Sequence, residues 1–207
     1  MSGKKPLTKF HAVIDRSNAL LDLHSSNQAQ ANDDLIRAAI VLSVAAFDGY
    51  FTNKFVDILV PYLKTRNPGS DLVKLLGEAG LDTRVALELL GMERPYRRIR
   101  TIVSGHLSGK TTQRFDTIDK LFLSIGLKNL SANAAKTTKK TNINARIGAL
   151  IEKRHAIAHT GDLNSHGNTQ PVNREKIRRR IQELKELVDA CDKIIDSASM
   201  VKKVKRP

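Results

Sequence analysis

With 207 residues, 41% of them hydrophobic, the chain is long enough to build one good core, and two domains are not required. Its 35 Lys and Arg against 21 Asp and Glu leave a net charge of +14, which favours a polyanionic partner, nucleic acid above all. No run of eighteen apolar residues and no apolar stretch behind Met1-Ser2-Gly3-Lys4-Lys5-Pro6 is present, so neither a membrane span nor a secretory signal is expected; one cysteine, Cys191, cannot form an internal disulfide, and a cytoplasmic setting fits.

Pro6, followed by Phe10, Val13, Ile14, Leu20 and Leu21, predicts a helix over 7–30. Asn32-Asp33-Asp34 should cap a second helix and place acids at its positive end. That helix is apolar on nearly all sides over 35–47, as a buried central element would be. It then narrows to a stripe of Tyr50, Phe51, Phe55, Ile58 and Leu59, and Pro61 is expected to kink or close it. After the turn cluster Thr65-Arg66-Asn67-Pro68-Gly69, short helices are expected over 70–79 and 82–90, with Ser70 and Asp82 as N-caps. An Arg-rich helix over 95–103 follows.

Gly105-His106-Leu107-Ser108-Gly109-Lys110 reads as a loop, one residue short of a phosphate-binding P-loop and with no strand before it. Thr111 or Thr112 should cap a helix through Phe115, Ile118, Leu121, Phe122 and Ile125 to Gly126. The Ala/Asn/Thr/Lys-rich stretch 130–140 lacks a period and reads as a loop or weak helix. Thr141 or Asn142 starts a helix that runs to a stop at Gly161, and 163–171 is a polar loop. Val172-Asn173 opens the last helix, with Val172 placed to pack on Ile177. Its seam of Ile177, Ile181, Leu184, Val188, Cys191, Ile195 and Ala198 suits an antiparallel bundle or a partner helix. No alternating run is long enough for a strand. The expected fold is all-α, an antiparallel helical bundle over 1–200 as one domain, with extra short helices in its middle and a basic tail over 201–207.

The positive charge is clustered. Residues 94–114 hold Arg94, Arg97, Arg98, Arg100, Lys110 and Arg114 with no acid between them, and 120–151 hold Lys120, Lys128, Lys136, Lys139, Lys140 and Arg146, again with none. Acid-free basic runs are either solvated faces or interaction surfaces, and the second reading is favoured here. Arg97, Arg98, Arg100, Lys110, Lys139 and Lys140 are the candidate RNA contacts. With no Trp and 4% aromatic residues, base-stacking readout and an interfacial membrane helix are both disfavoured.

The most informative stretch is Ile151-Glu152-Lys153-Arg154-His155-Ala156-Ile157-Ala158-His159-Thr160-Gly161-Asp162. Ile147, Leu150, Ile151 and Ala158, with Ile157 beside it, give the helix a core face, and Gly161 suits its end. An imidazole can take or give a proton near neutral pH, and an Arg offers a permanently charged fork to phosphate oxygens. Five residues along a helix turn through about 140°, so one helix does not stack Arg154 on His159. A long Arg side chain or a second copy of the helix must close that gap. The bland alternative is an Arg bound to a core carboxylate and a His capping the helix end.

Arg154-x4-His159, with polar His155 directly after the Arg, resembles the signature of the HEPN superfamily, all-helical domains many of which are metal-independent endoribonucleases. The flanking Ala-His-Thr-Gly-Asp, the place before a final long helix, and Ala45-Ala46-Phe47-Asp48-Gly49-Tyr50-Phe51 in an early apolar helix extend the likeness over roughly 33–198. The resemblance implies a homodimer in which two motif helices face each other, with Arg154 and His159 catalytic and His155, Lys153 and Asp48 in support. It implies no cofactor, a product with a 2′,3′-cyclic phosphate, and a toxin, phage-defence or RNA-processing setting. Asp48 is a candidate ion-pair partner for Arg154 or another base. His155 and His159 also stand four apart, so a metal site with His166 as third ligand is conceivable, although Ala156 occupies the place of the zinc-protease Glu. The competing functions are a non-catalytic helical module that binds nucleic acid or protein, and a subunit whose charge docks an acidic antitoxin, nucleotidyltransferase or regulatory protein.

Overall fold

A computed structural model describes residues 5–26, 33–110 and 112–200. Among them the chain forms α1 (Pro6–Ser26), α2 (Asp33–Thr65), α3 (Ser70–Glu78), α4 (Thr83–Leu90), α5 (Pro95–Ser108), α6 (Phe115–Leu123), α7 (Leu130–Thr137), α8 (Ile143–Thr160) and α9 (Arg174–Met200). No strand occurs among the described residues; the single Leu163–Thr169 bridge closes a loop. The fold is all-α. The chain divides into two compact units, 1–50 with 131–192 and 51–130 with 193–207. Helices α2 and α9 each contribute residues to both.

The first unit buries Phe10, Ile14 and Leu21 of α1, Ile36, Ile40, Val44 and Phe47 of α2, Ile147 and Leu150 of α8, and Ile181, Leu184 and Val188 of α9. These positions recur every three or four residues in their helices, which is why four separate stripes can share one core. Polar clamps tie the stripes together: Tyr50 donates its hydroxyl to Asp192 at 2.8 Å, and His11 Nε2 lies 2.7 Å from Asp189. The second unit is organised on aromatic edges. Phe122 of α6 meets Phe51 at 6.0 Å and 80°, and Phe55 at 5.8 Å and 85°. Lys54 reaches Asp196 at 2.6 Å, and Arg100 pairs with Asp57.

Several local expectations change. Helix α2 continues through Pro61 to Thr65, because a proline costs one backbone bond and the following turn is held by the Thr65 hydroxyl, which donates to the Pro61 carbonyl at 2.9 Å. Its most apolar eighteen-residue window, of mean hydropathy 1.5, would suffice in length and composition to cross a membrane, yet 56% of it is buried within the fold. Gly69, not Ser70, is the N-cap of α3, while Asp82 caps α4 as expected by accepting from Val85 N at 2.8 Å. Helix α5 runs on to Ser108, so most of the supposed Gly-rich loop is helical and the P-loop likeness dissolves. His106 sits inside α5 with Nε2 buried and without a hydrogen-bond partner among the described residues.

Arg114 is the N-cap of α6; Thr112 lies ahead of the helix, and Thr111 is outside the described residues. The stretch after Gly126 forms α7, anchored by buried Leu130 and Ala134. Asn173 opens α9, its side chain accepting from Lys176 N at 2.8 Å. The expected end of α1 at 27–30, the cap at Asn32 and the tail 201–207 lie outside the described residues.

Phe122→Ala should destabilise the protein by about 3–5 kcal/mol, since it empties the centre of the aromatic cluster. Arg97→Ala, on an exposed turn of α5, should stay within about 0.5 kcal/mol. Urea unfolding of the two variants beside the wild type reads both.

Candidate functional site

Helix α8 carries the motif, and its two ends behave differently. Ile143, Ile147, Leu150 and Ile151 are buried, which fixes the first half of the helix in the core. The last turns leave it: Ile157 is half-buried, and Ala158, His159 and Thr160 are exposed. The expected core role of Ala158 is therefore overturned. Eleven residues on from Ile147 it lies within about 20° of the same face, so the helix has not turned away; its final turn extends beyond the packed core into solvent.

An electrostatically dense stop ends the helix. Gly161 adopts φ 63°, which a residue with a Cβ disfavours, and donates its N–H to Ile157 O at 3.2 Å. Asp162 N–H reaches back to Ala156 O at 3.1 Å, completing the paired carbonyl caps of a left-handed helix end. The Asp162 side chain then turns inward, 1% exposed, where Arg37 Nε donates to Oδ2 at 3.1 Å. Lys153 Nζ stands 2.7 Å from Oδ1, close enough for charge attraction but off the hydrogen-bond direction. Arg37 also donates to Asp34 at 3.1 Å and to Gln170 O at 2.7 Å, so one guanidinium ties α2 to both sides of the loop after α8.

Arg154 has no such partner. It is half-buried, its Nε is shielded from water, and among the described residues it makes neither a hydrogen bond nor an ion pair. Of the two partners expected for Asp48, Arg154 or another base, Arg154 is not the one; Asp48 is half-buried on α2. Asp162, the buried carboxylate at this helix end, is taken by Arg37 and Lys153. His155 and His159 stack, with ring centroids 5.2 Å apart and planes 25° from parallel. His155 thereby limits the orientation of the exposed His159 ring. His166 lies on the exposed loop after α8 and does not join them, and no group of three His, Cys, Asp or Glu placed to hold a metal occurs among the described residues.

The candidate RNA contacts separate into two sets. Arg100, Lys110 and Lys140 each meet a carboxylate, on Asp57, Glu78 and Glu186 respectively. Arg97, Arg98 and Lys139 are exposed and without ion pairs among the described residues. Sequence reasoning missed Arg37 and the role of Asp162. The signal was present: a cation at Arg37 within an otherwise apolar helix needs a buried acid. It also missed that Arg146 donates to Glu183, which Arg180 shares at 2.8 Å. Burial pushes the Glu183 carboxyl up, but hydrogen bonds from Arg146 and Arg180 outweigh it and hold the group below its ordinary value. Glu186 is likewise lowered, with burial opposed by hydrogen bonds from Lys140 and Gln182.

Asp162→Ala should cost about 3–5 kcal/mol, because it removes the buried counter-charge of Arg37 and leaves it only exposed Asp34 and the Gln170 carbonyl. His159→Ala, on the exposed turn, should change stability by less than about 0.5 kcal/mol. Denaturant melts of both compare a structural acid with a residue free for chemistry. A carboxyl lowered in the fold adds stability that is present above its ordinary value of 4.5 and is lost as pH falls through the folded value. Stability should therefore decline on acidification below about 4.5, and Glu183→Gln should flatten that decline.

A family model described as RiboL-PSP-HEPN matches residues 11–197. No curated protein and no solved structure matches the chain. The match takes in every described helix of the bundle from within α1 to the last turns of α9, including the whole of α8 and its Arg154 and His159. The chain belongs to the RiboL-PSP-HEPN family of the HEPN superfamily.

Proposed function

We propose that this protein is a metal-independent endoribonuclease that works as a homodimer, with Arg154 and His159 of two facing α8 helices lining one cleft. The observation that carries the reading is the state of Arg154. In a helix end where Arg37 and Lys153 are both committed to a buried acid, Arg154 is left without one among the described residues. A half-buried guanidinium with free donors is suited to an incoming phosphate, which its planar fork can grip through two oxygens. The exposed final turn of α8, with Ala158 and His159 outside the core, offers a surface for a second copy.

RNA supplies its own nucleophile. A base removes the 2′-hydroxyl proton as that oxygen attacks the adjacent phosphorus, and the guanidinium offsets charge on the pentavalent phosphorane. An acid then gives a proton to the departing 5′-oxygen. One chain ends in a 2′,3′-cyclic phosphate and the other begins with a 5′-hydroxyl, with no water consumed. One His159 imidazole in the cleft can serve both steps, taking the 2′-hydroxyl proton and returning it to the 5′-oxygen. Lys153 and Asp162 act from behind, fixing where the helix stops. A setting in toxin or phage defence accords with such an activity.

A protein-binding role is the second reading. Leu87, Leu90 and Met92 around α4 are 63%, 82% and 41% exposed, an apolar face a partner protein would cover.

Cleavage of RNA should persist in EDTA. His159→Ala should slow it by about 10²–10⁴-fold, the usual value of a positioned acid or base. Arg154→Lys should also be poor, because a point charge does not replace the fork. Loss of wild-type cleavage on chelation would make the stacked histidines a metal site; cleavage unaffected by His159→Ala would remove them from the chemistry.

A further inference from the structure

A second concentration of charge lies at the opposite end of α8. The turn between α7 and α8, the first turns of α8 and the first turns of α9 enclose an open cleft of about 570 Å³. Lys139, Lys140, Arg146, Lys176, Arg179 and Arg180 line it, with Glu183 as the lining acid. All belong to the first unit. Its walls are ordered by internal pairing. Glu183 is hydrogen-bonded by Arg146 at 3.1 Å and Arg180 at 2.8 Å, Glu186 holds Lys140, and Arg146 also donates to the Thr141 carbonyl. Positive φ values of 55° at Lys139 and 54° at Asn142 fold the turn into the cleft's rim.

Lys139, Lys176 and Arg179 are exposed and make no ion pair among the described residues. Cations thus outnumber carboxylates, and the surplus sits on residues that no structural pair requires. The cleft also adjoins the N-terminal ends of α8 and α9, and Asn142 at the start of α8 gives no side-chain cap bond. Helix starts add positive field to whatever anion enters, and that of α8 lacks a side-chain cap, whereas Asn173 caps α9.

We propose that this cleft binds the phosphodiester backbone of an RNA strand outside the catalytic site. The inference rests on the reading of the protein as RNA-directed, though not on its catalysing cleavage. Arg146 and His159 are thirteen residues apart, about 20 Å along the helix axis at 1.5 Å per residue. A strand must therefore extend several nucleotides beyond the scissile phosphate to be held at both ends of α8. Backbone contact without aromatic platforms makes the grip independent of base sequence. An acidic protein segment is the competing occupant. RNA is favoured because three of the lining cations are Arg, whose fork matches phosphate, and because the charge surplus extends over the whole chain.

The test uses the full chain carrying His159→Ala, so that RNA stays intact, with and without Lys139→Ala, Lys176→Ala and Arg179→Ala together. Fluorescence anisotropy reads binding to a labelled single-stranded RNA of about twenty nucleotides between 50 and 200 mM salt, and a melting curve accompanies each protein. With three phosphate-binding cations removed, the slope of log affinity against log salt should fall by about 2, from ~0.7 per phosphate. Affinity at the low-salt end should fall at least about tenfold, with the melting temperature unchanged. Equal affinity and slope in both proteins would overturn the cleft while leaving the nuclease reading intact. A cleft-dependent loss of RNA binding, in a protein whose wild type never cuts RNA, would support the cleft and count against the nuclease alone. Tighter cleft-dependent binding of a polyglutamate peptide than of RNA at equal salt would overturn RNA as the occupant.

Discussion

A carboxylate taken out of water is tolerable only with cations and donors placed around it. Asp162 is 1% exposed, and Arg37 and Lys153 surround it. That arrangement fixes three things together. It sets the residue at which α8 stops, because Asp162 N–H and Gly161 N–H cap the last carbonyls in the same turn. It ties that turn to α2 through Arg37, which also binds Asp34 and the Gln170 carbonyl. It also commits the buried acid at the end of the motif helix to those two cations. Arg154 keeps its donors unspent among the described residues, and the turn that bears His159 is exposed.

The same sorting of charge runs through the first unit. Glu183 and Glu186 commit Arg146, Arg180 and Lys140 to the walls of the basic cleft, and leave Lys139, Lys176 and Arg179 facing solvent. Acids are too few to neutralise 35 Lys and Arg, so the fold places them where a cation must be held still. The remaining cations form an exposed positive surface, which we assign to a polyanion. On this account the two ends of α8 have complementary tasks: one presents Arg154 and His159 to the reacting phosphate, and the other grips the strand that carries it.

Helices with an uninterrupted apolar period were legible in the sequence. The seam of α9 from Ile177 to Ile195 is buried as its spacing requires, and Asp82 caps α4 by the bond its side chain was expected to make. Pro61 does not close α2, since an intrinsic helix breaker yields when the surrounding helix is packed and the next turn finds a hydroxyl. The run from Gly105 was misread for a similar reason: Val103 and Leu107 are buried, and their burial outweighs the glycine's flexibility. Of the candidate site, the placing of Arg154, His155 and His159 on one helix was legible, because their spacing is a local property. The pairings that decide their state are not local. Arg37 and Asp162 are 125 positions apart, and no periodicity links them.

The central claim is that two copies of α8 share one cleft, each completing the other. It is tested most directly by mixing inactive proteins, Arg154→Ala with His159→Ala, under conditions where subunits exchange, and assaying RNA cleavage beside each alone. The account predicts that the mixture regains a substantial part of wild-type activity, because a mixed dimer keeps one intact Arg and one intact His in the shared cleft. A mixture as inactive as its parents, with mixed dimers demonstrated and the wild type cutting RNA, would contradict it and place the whole site within a single protomer.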